Sequence, residues 1–161
     1  YTLWHTLSLH DALPICEFLK DRIKMNPVPR LNRKAVVHGH CTHKAVLKMD
    51  IERKVLSDIG LDYEVLDSGC CGVSGAFGFR KGNFDLSMAI GERVLLPAVR
   101  KAARDTIIIA NGFSCREQVA QATDREVLHL AQVILMAMED GPDGPSGDYP
   151  EKKYMETQRH K

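Results

Sequence analysis

The chain has 161 residues, 22 of them basic and 21 acidic, and a formal net charge of +1 at pH 7, so it lacks the electrostatic footprint of a nucleic-acid-binding surface. Aromatic residues at 6% are too sparse to build base-stacking platforms, whereas 44% hydrophobic and 27% charged residues suit one compact domain with a tail. Five cysteines with no basic segment, apolar stretch and cleavage site argue against a secreted disulfide scaffold, and no apolar run approaches the ~20 residues that span a bilayer. A cytoplasmic protein is expected, with any membrane attachment peripheral, at the inner face and through partners.

In chain order, residues 1–15 do not read like the rest. The run from Thr6 to Ile15 resembles a translated sequencing-adapter peptide, so 1–15 is set aside as a non-native or disordered lead-in, and the remainder is expected to be the C-terminal end of something larger. Cys16 then falls at the junction as a buried or incidental thiol. Residues 34–39 carry a short apolar run ending in Gly39 and predict a strand. Leu47, Ile51, Val55 and Ile59 recur every fourth residue, predicting one helix over 44–59 closed by Gly60. A second strand is predicted over 61–66, then a glycine-rich stretch over 69–82, then a long helix over 84–103 that Pro97 kinks. Residues 106–110 form the clearest strand, which Asn111 and Gly112 turn into a short helix. A last helix follows from about Val127, with His129 on its apolar face. Residues 140–161 are rich in Gly and Pro and predict a disordered tail, leaving 16–139 as the domain.

Strands alternating with helices imply an α/β, Rossmann-like fold: a small parallel sheet with helices on both faces. The functional loops of such a sheet lie at the C-terminal edge of the strands. Here those exits are 38–43, 68–82 and 111–115, and they carry Cys41, the vicinal pair Cys70 and Cys71, and Cys115. A free cysteine is commonly just a small buried hydrophobe, but four on three converging loops are candidate metal ligands. Gly69, Gly72 and Gly75 would permit a sharp bend and let backbone N–H groups approach sulfurs or an anionic ligand. Arg116 is a candidate for holding cluster charge or a carboxylate; of His38, His40 and His43, the two flanking Cys41, His40 and His43, are candidate supplementary ligands, proton donors to reduced substrate or groups that lower the thiolate pKa. No hairpin with two cysteines at zinc-knuckle spacing is present, nor a glycine-rich nucleotide-binding signature.

The runs His38-Gly-His-Cys41-Thr-His43, Asp67-Ser-Gly-Cys70-Cys71-Gly-Val-Ser-Gly75 and Asn111-Gly-Phe-Ser-Cys115-Arg-Glu-Gln118, in this order, together resemble a known module. It is the cysteine-rich CCG domain that occurs in heterodisulfide reductase, in the iron-sulfur component of glycolate oxidase, and at the C-terminal end of FAD-linked D-2-hydroxyacid dehydrogenases. The closest likeness is to the last. The resemblance implies that Cys41, Cys70, Cys71 and Cys115 hold an iron-sulfur cluster, of 4Fe-4S type by ligand number, or act as redox thiols. It also implies an FAD on an upstream domain, flavin and ferredoxin-like domains of the same enzyme as partners, a 2-hydroxyacid substrate such as D-lactate, glycolate or 2-hydroxyglutarate, and no catalysis by this module alone. One departure is that Gln118 stands where the heterodisulfide reductase form has a further cysteine. The alternatives are a zinc-stabilised binding module built on the same four cysteines and a metal-free vicinal dithiol redox domain.

Overall fold

The computed structural model describes residues 15–22 and 29–154. The expected lead-in, Ile15 apart, lies outside the described residues, as do 155–161. The elements run α1 (Ile15–Arg22), β1 (Lys34–Val37), α2 (Cys41–Val46), α3 (Asp50–Ile59), β2 (Asp62–Val65), α4 (Phe84–Gly91), α5 (Leu95–Lys101), β3 (Ile107–Ile109), α6 (Phe113–Ala122) and α7 (Leu130–Asp140).

β1 is the middle strand of a three-stranded parallel sheet of order β2-β1-β3, with Val37 opposite Val65 on one side and Ile109 on the other. Leu128 extends this order by exchanging hydrogen bonds with Ala110 and Ile108 at 3.0 and 2.9 Å, the rudiment of a fourth strand. Side chains alternate across a strand. Accordingly Ala35, Val37, Ile107 and Ile109 pack into a core with α1, α3 and α7, while Val36 and Ile108 pack into a second core with α5 and α6. The sheet is thus covered on both faces, as an α/β fold with near-continuous apolar strands requires.

Two predicted helices are each divided. The helix predicted over 44–59 is α2 and α3, broken at residues 47–49 where Lys48 takes φ 60°. The break brings buried Met49 back against Gly39, where a Cβ would lie 3.0 Å from the methionine sulfur. The helix predicted over 84–103 is α4 and α5, separated by a turn over 92–94. Pro97 is therefore the third residue of α5, where the missing N–H has no intrahelical acceptor to lose, and no kink is needed. His129 is not a core residue of the last helix. It caps α7, its Nδ1 accepting from Ala131 N at 3.1 Å while Gln132 Oε1 accepts from His129 N at 2.7 Å.

The expectation of a disordered tail is corrected for 141–154. Asn32 N donates to Pro142 O at 2.6 Å, Tyr149 N donates to Arg104 O at 2.8 Å, and Tyr154 is buried with its hydroxyl on Asp140. Glu151, wholly buried, meets Arg125 at 2.7 Å, and Arg125 is itself 3% exposed. Gly141, Gly144 and Gly147 all have positive φ, so the composition that suggested disorder supplies turns that fold the segment back. Among the described residues no helix is long and apolar enough to cross a membrane.

Replacing Glu151 with Ala should leave Arg125 buried and unpaired and cost about 3–5 kcal/mol. Urea unfolding of the two proteins, compared by midpoint and slope, measures it; an unchanged midpoint would mean that the segment does not pack against the domain.

Candidate functional site

The strand order decides where the chain exits meet. With β1 between β2 and β3, the three C-terminal ends emerge side by side, and the connection from β1 to β2 crosses one face while that from β2 to β3 crosses the other. The crevice therefore opens between the ends of β1 and β3. Cys41 is the first residue of α2, just beyond the β1 exit, and Cys115 lies in the first turn of α6, just beyond the β3 exit. Cys70 and Cys71 follow β2. Lys44 of α2 secures that third loop by donating to the carbonyls of Leu66 and Ser68 at 3.1 and 2.6 Å. His38, buried, ties β1 to the same loop through Nδ1 and Ser68 Oγ at 2.8 Å. Burial, with Lys44 and His40 nearby, pushes the His38 imidazole down to about 4, so it is neutral.

The four thiols are near enough to shift one another electrostatically: Cys70 feels Cys41 and Cys71, and Cys115 feels all three. All four are free thiols. The Cys71 thiol is pulled from its ordinary 9.0 to about 6, first by the hydrogen bond from Cys115, against burial, and then by the backbone N–H groups of Val73 and Ser74. Cys115 is driven up because it gives its proton to that bond and is buried. The pair thus shares one proton, with the negative charge on Cys71. Cys70 is raised by burial, although Gly72 N donates to its sulfur at 3.3 Å. Cys71 and Cys115 are buried, while Cys41 and Cys70 are half-buried and open toward solvent.

Among the described residues, the Cys, His, Asp and Glu trio whose ligand atoms all lie within 4.8 Å of one another is Cys16, His43 and Glu52. No three of the four converging cysteines draw that close. Thiolates around one tetrahedral zinc stand ~3.8 Å apart. Four soft sulfurs with backbone N–H groups donating to two of them are a donor set of the kind that holds an iron-sulfur cluster or a zinc ion.

The glycines divide by role. Gly72 has φ 109°, and a Cβ there would lie 2.1 Å from the Ser87 carbonyl oxygen, so no other residue fits. Gly75 has φ 63° with open space around it, and Gly69 has neither a positive φ nor a neighbour to avoid. Of the three, Gly72 thus makes the bend. Gly112, which the sequence marks only as a turn, is also closely approached: a Cβ would lie 2.5 Å from the His40 ring and 3.0 Å from the Cys115 sulfur. Its bareness is what seats His40 beside Cys115. Gln118 is 3% exposed and donates to the Ser87 carbonyl at 3.0 Å, joining α6 to α4 where the related motif has a cysteine. The Arg116 guanidinium turns back onto the carbonyls of Ala110 and Asn111 at 3.3 and 3.0 Å, and burial lowers its pKa while Cys115 opposes that shift.

His43 is placed apart from the four cysteines. Its Nδ1 is 3.2 Å from Glu52 Oε2 and its Nε2 is 4.0 Å from Cys16 Sγ. Glu52 is 1% exposed, its carboxyl is pushed up to about 7 by burial, and Asn111 Nδ2 donates to its Oε1 at 2.9 Å. Asn111 also accepts from Leu130 N at 3.0 Å, so one side chain joins α3, the β3 exit and α7. Neither Glu52 nor Asn111 stands out as functional from sequence. The available signal is periodicity: Glu52, Val55, Leu56 and Ile59 form the buried stripe of α3, and a carboxylate on such a stripe needs a partner.

An open cleft of about 130 Å³ adjoins the centre, lined by Asp67, Ser68, Gly69 and Cys70 from the loop and by Arg93 and Leu95 among others opposite. It gives Cys70 access to solvent.

Comparison with known proteins adds relatives. A D-2-hydroxyglutarate dehydrogenase from Pseudomonas putida is 33% identical over 99 residues, covering 60% of this chain and 10% of that protein. A component of the anaerobic glycerol-3-phosphate dehydrogenase of Escherichia coli is 29% identical over 119 residues, covering 73% of this chain and 30% of that component. A D-2-hydroxyglutarate dehydrogenase of Escherichia coli is 28% identical over 122 residues, covering 74% of this chain and 12% of that protein. The chain thus spans between a tenth and a third of the length of these relatives and is similar to a segment of oxidoreductases. No family model matches it, and no solved structure does.

The thiolate assignment is open to titration. In metal-free protein the ultraviolet absorbance of thiolate should rise through a step near pH 6 and be lost again as pH falls through it. Cys71→Ser should abolish the step, and Cys115→Ala should move it upward by removing the hydrogen bond that is the strongest downward pull. No step below pH 8 in the parent protein would refute the assignment.

Proposed function

We propose that the chain is the cysteine-rich electron-transfer module of an FAD- and iron-sulfur-dependent 2-hydroxyacid oxidoreductase, with Cys41, Cys70, Cys71 and Cys115 holding an iron-sulfur cluster of 4Fe-4S type. The observation that carries this reading is the meeting of four free thiols from three strand exits, near enough to shift one another's ionisation. The relatives support the oxidoreductase class. Such a cluster, when bound, passes single electrons at a potential set by its net charge, the hydrogen bonds to its sulfurs and its exposure to solvent.

The chain's own residues supply those settings. The N–H groups of Gly72, Val73 and Ser74 donate to the sulfurs of Cys70 and Cys71 and stabilise negative charge there. Arg116 places a fixed positive charge near Cys115. Buried Cys71 and Cys115 exclude water on the inner side, and half-buried Cys41 and Cys70 face the route by which electrons enter or leave. His40, held against Gly112 and Cys115, is positioned to exchange a proton at the centre, and His43 supports α2 from behind. Gly69 and Gly75 keep the outer loop free of side chains, so a partner can approach closely. In this reading the FAD and a ferredoxin-like cluster domain belong to the same enzyme, substrate oxidation occurs at the flavin, and the module works in the cytoplasm.

The low-lying Cys71 thiolate favours one second reading, a metal-free redox domain in which Cys70 and Cys71 cycle as a vicinal dithiol. Anaerobic purification followed by iron, zinc and acid-labile sulfide analysis separates the readings. Iron with sulfide is expected; zinc at the four cysteines, or no metal at all, would overturn the proposal. Loss of even a group that only supports a ligand lowers metal affinity ~10–100-fold, so Cys71→Ser and Cys115→Ser should lower iron retention at least that much.

A further inference from the structure

We propose that Cys16, His43 and Glu52 form a second metal site, separate from the four-cysteine centre, that takes one divalent transition-metal ion of the zinc type. Their sulfur, imidazole nitrogen and carboxylate oxygen all lie within 4.8 Å of one another. The residues come from α1, α2 and α3 and are 0%, 7% and 1% exposed.

The strongest pointer is the Glu52 carboxylate. Its Oε1 is satisfied by Asn111, which fixes the plane of the group. Its Oε2 is fully buried and has no hydrogen-bond partner, although His43 Nδ1 approaches to 3.2 Å. That approach lacks hydrogen-bond geometry, so an acceptor is left bare beside an imidazole and a thiol, an arrangement that is costly without a further group between them. A metal ion supplies that group.

The donor set is of the right type. Thiolate, imidazole and carboxylate are the ligands from which zinc sites are built, at about 2.0–2.3 Å. Tetrahedral angles would bring donor atoms to roughly 3.3–3.8 Å from one another. The 4.0 Å between Cys16 Sγ and His43 Nε2 shows how little the side chains must move. One nitrogen of His43 binds, and three protein ligands leave a fourth position for water. A thiolate, a carboxylate and a neutral imidazole around a dication sum to zero charge, the condition under which an ionic assembly is tolerated in the interior. Soft and hard donors mixed in this way discriminate against Mg²⁺ and Ca²⁺, which take oxygen ligands.

Bound metal would clamp α1 onto α2 and α3. Because His43 lies two residues beyond Cys41 on the same short helix, the clamp also fixes the helix that carries the first cysteine of the neighbouring centre.

The test uses the full chain with Cys70→Ser and Cys71→Ser, which dismantles the four-cysteine centre, and with Zn²⁺ as the probe. This protein should bind one equivalent of Zn²⁺, with a thermal midpoint that rises on addition of the metal. Adding Cys16→Ala should abolish both the equivalent and the rise. Glu52→Gln keeps the hydrogen bond from Asn111 and so preserves the fold, and it should weaken Zn²⁺ binding by about tenfold or more. Circular dichroism establishes that each variant is folded. The proposal is overturned if the starting protein binds no Zn²⁺, or if stoichiometry and affinity are the same with and without Cys16 and Glu52.

Discussion

β1 is hydrogen-bonded in parallel on both sides, and the placement of the candidate centre depends on that arrangement. Parallel pairing requires every strand to end at the same edge, and a central position for β1 requires its two neighbours to be reached over opposite faces. The loops that follow β1, β2 and β3 are then neighbours regardless of their distance in sequence. Cys41, Cys70, Cys71 and Cys115 meet for that reason. The sheet contributes no side chain to the centre and instead supplies its geometry.

That edge is held by polar groups taken out of water in matched pairs. His38 meets Ser68, Lys44 meets two carbonyls of the β2 loop, and Asn111 meets both Glu52 and the first N–H of α7. A buried polar group left alone costs more than its bond would contribute, so each contact fixes the loop that bears it. The same low-polarity surroundings separate chemically identical thiols. Cys71, given N–H donors and the proton of its neighbour, carries charge near neutrality, while Cys115 keeps its proton.

Rigid backbone and bare backbone alternate around the centre. Gly72 and Gly112 are positions where an added methyl group would collide with the Ser87 carbonyl and with the His40 ring. Close approach at these two points brings α4 under the cysteine loop and His40 over the β3 exit. Gln118 fills the space below with an amide that bonds Ser87. The position that carries a cysteine in the related motif is here a structural tie between α6 and α4.

The alternation of apolar runs and helical periodicities by itself determined the α/β class, the parallel sheet and the three loops that carry the cysteines, because strand and helix periods are local properties of the chain. The element boundaries over 44–59 and 84–103 were not legible: the apolar period runs on across both breaks, and the one at Lys48 goes with the packing of Met49 against Gly39. Nor was the return of 141–154 legible, because its anchor, the pair of Arg125 and Glu151, joins residues whose burial no local pattern reports. Only the tertiary structure sorted the histidines, setting His40 beside Cys115 and His43 beside Cys16 and Glu52. Positions one turn apart at one short helix face different neighbours, and which neighbours those are is decided by how α1 and α3 pack on the sheet.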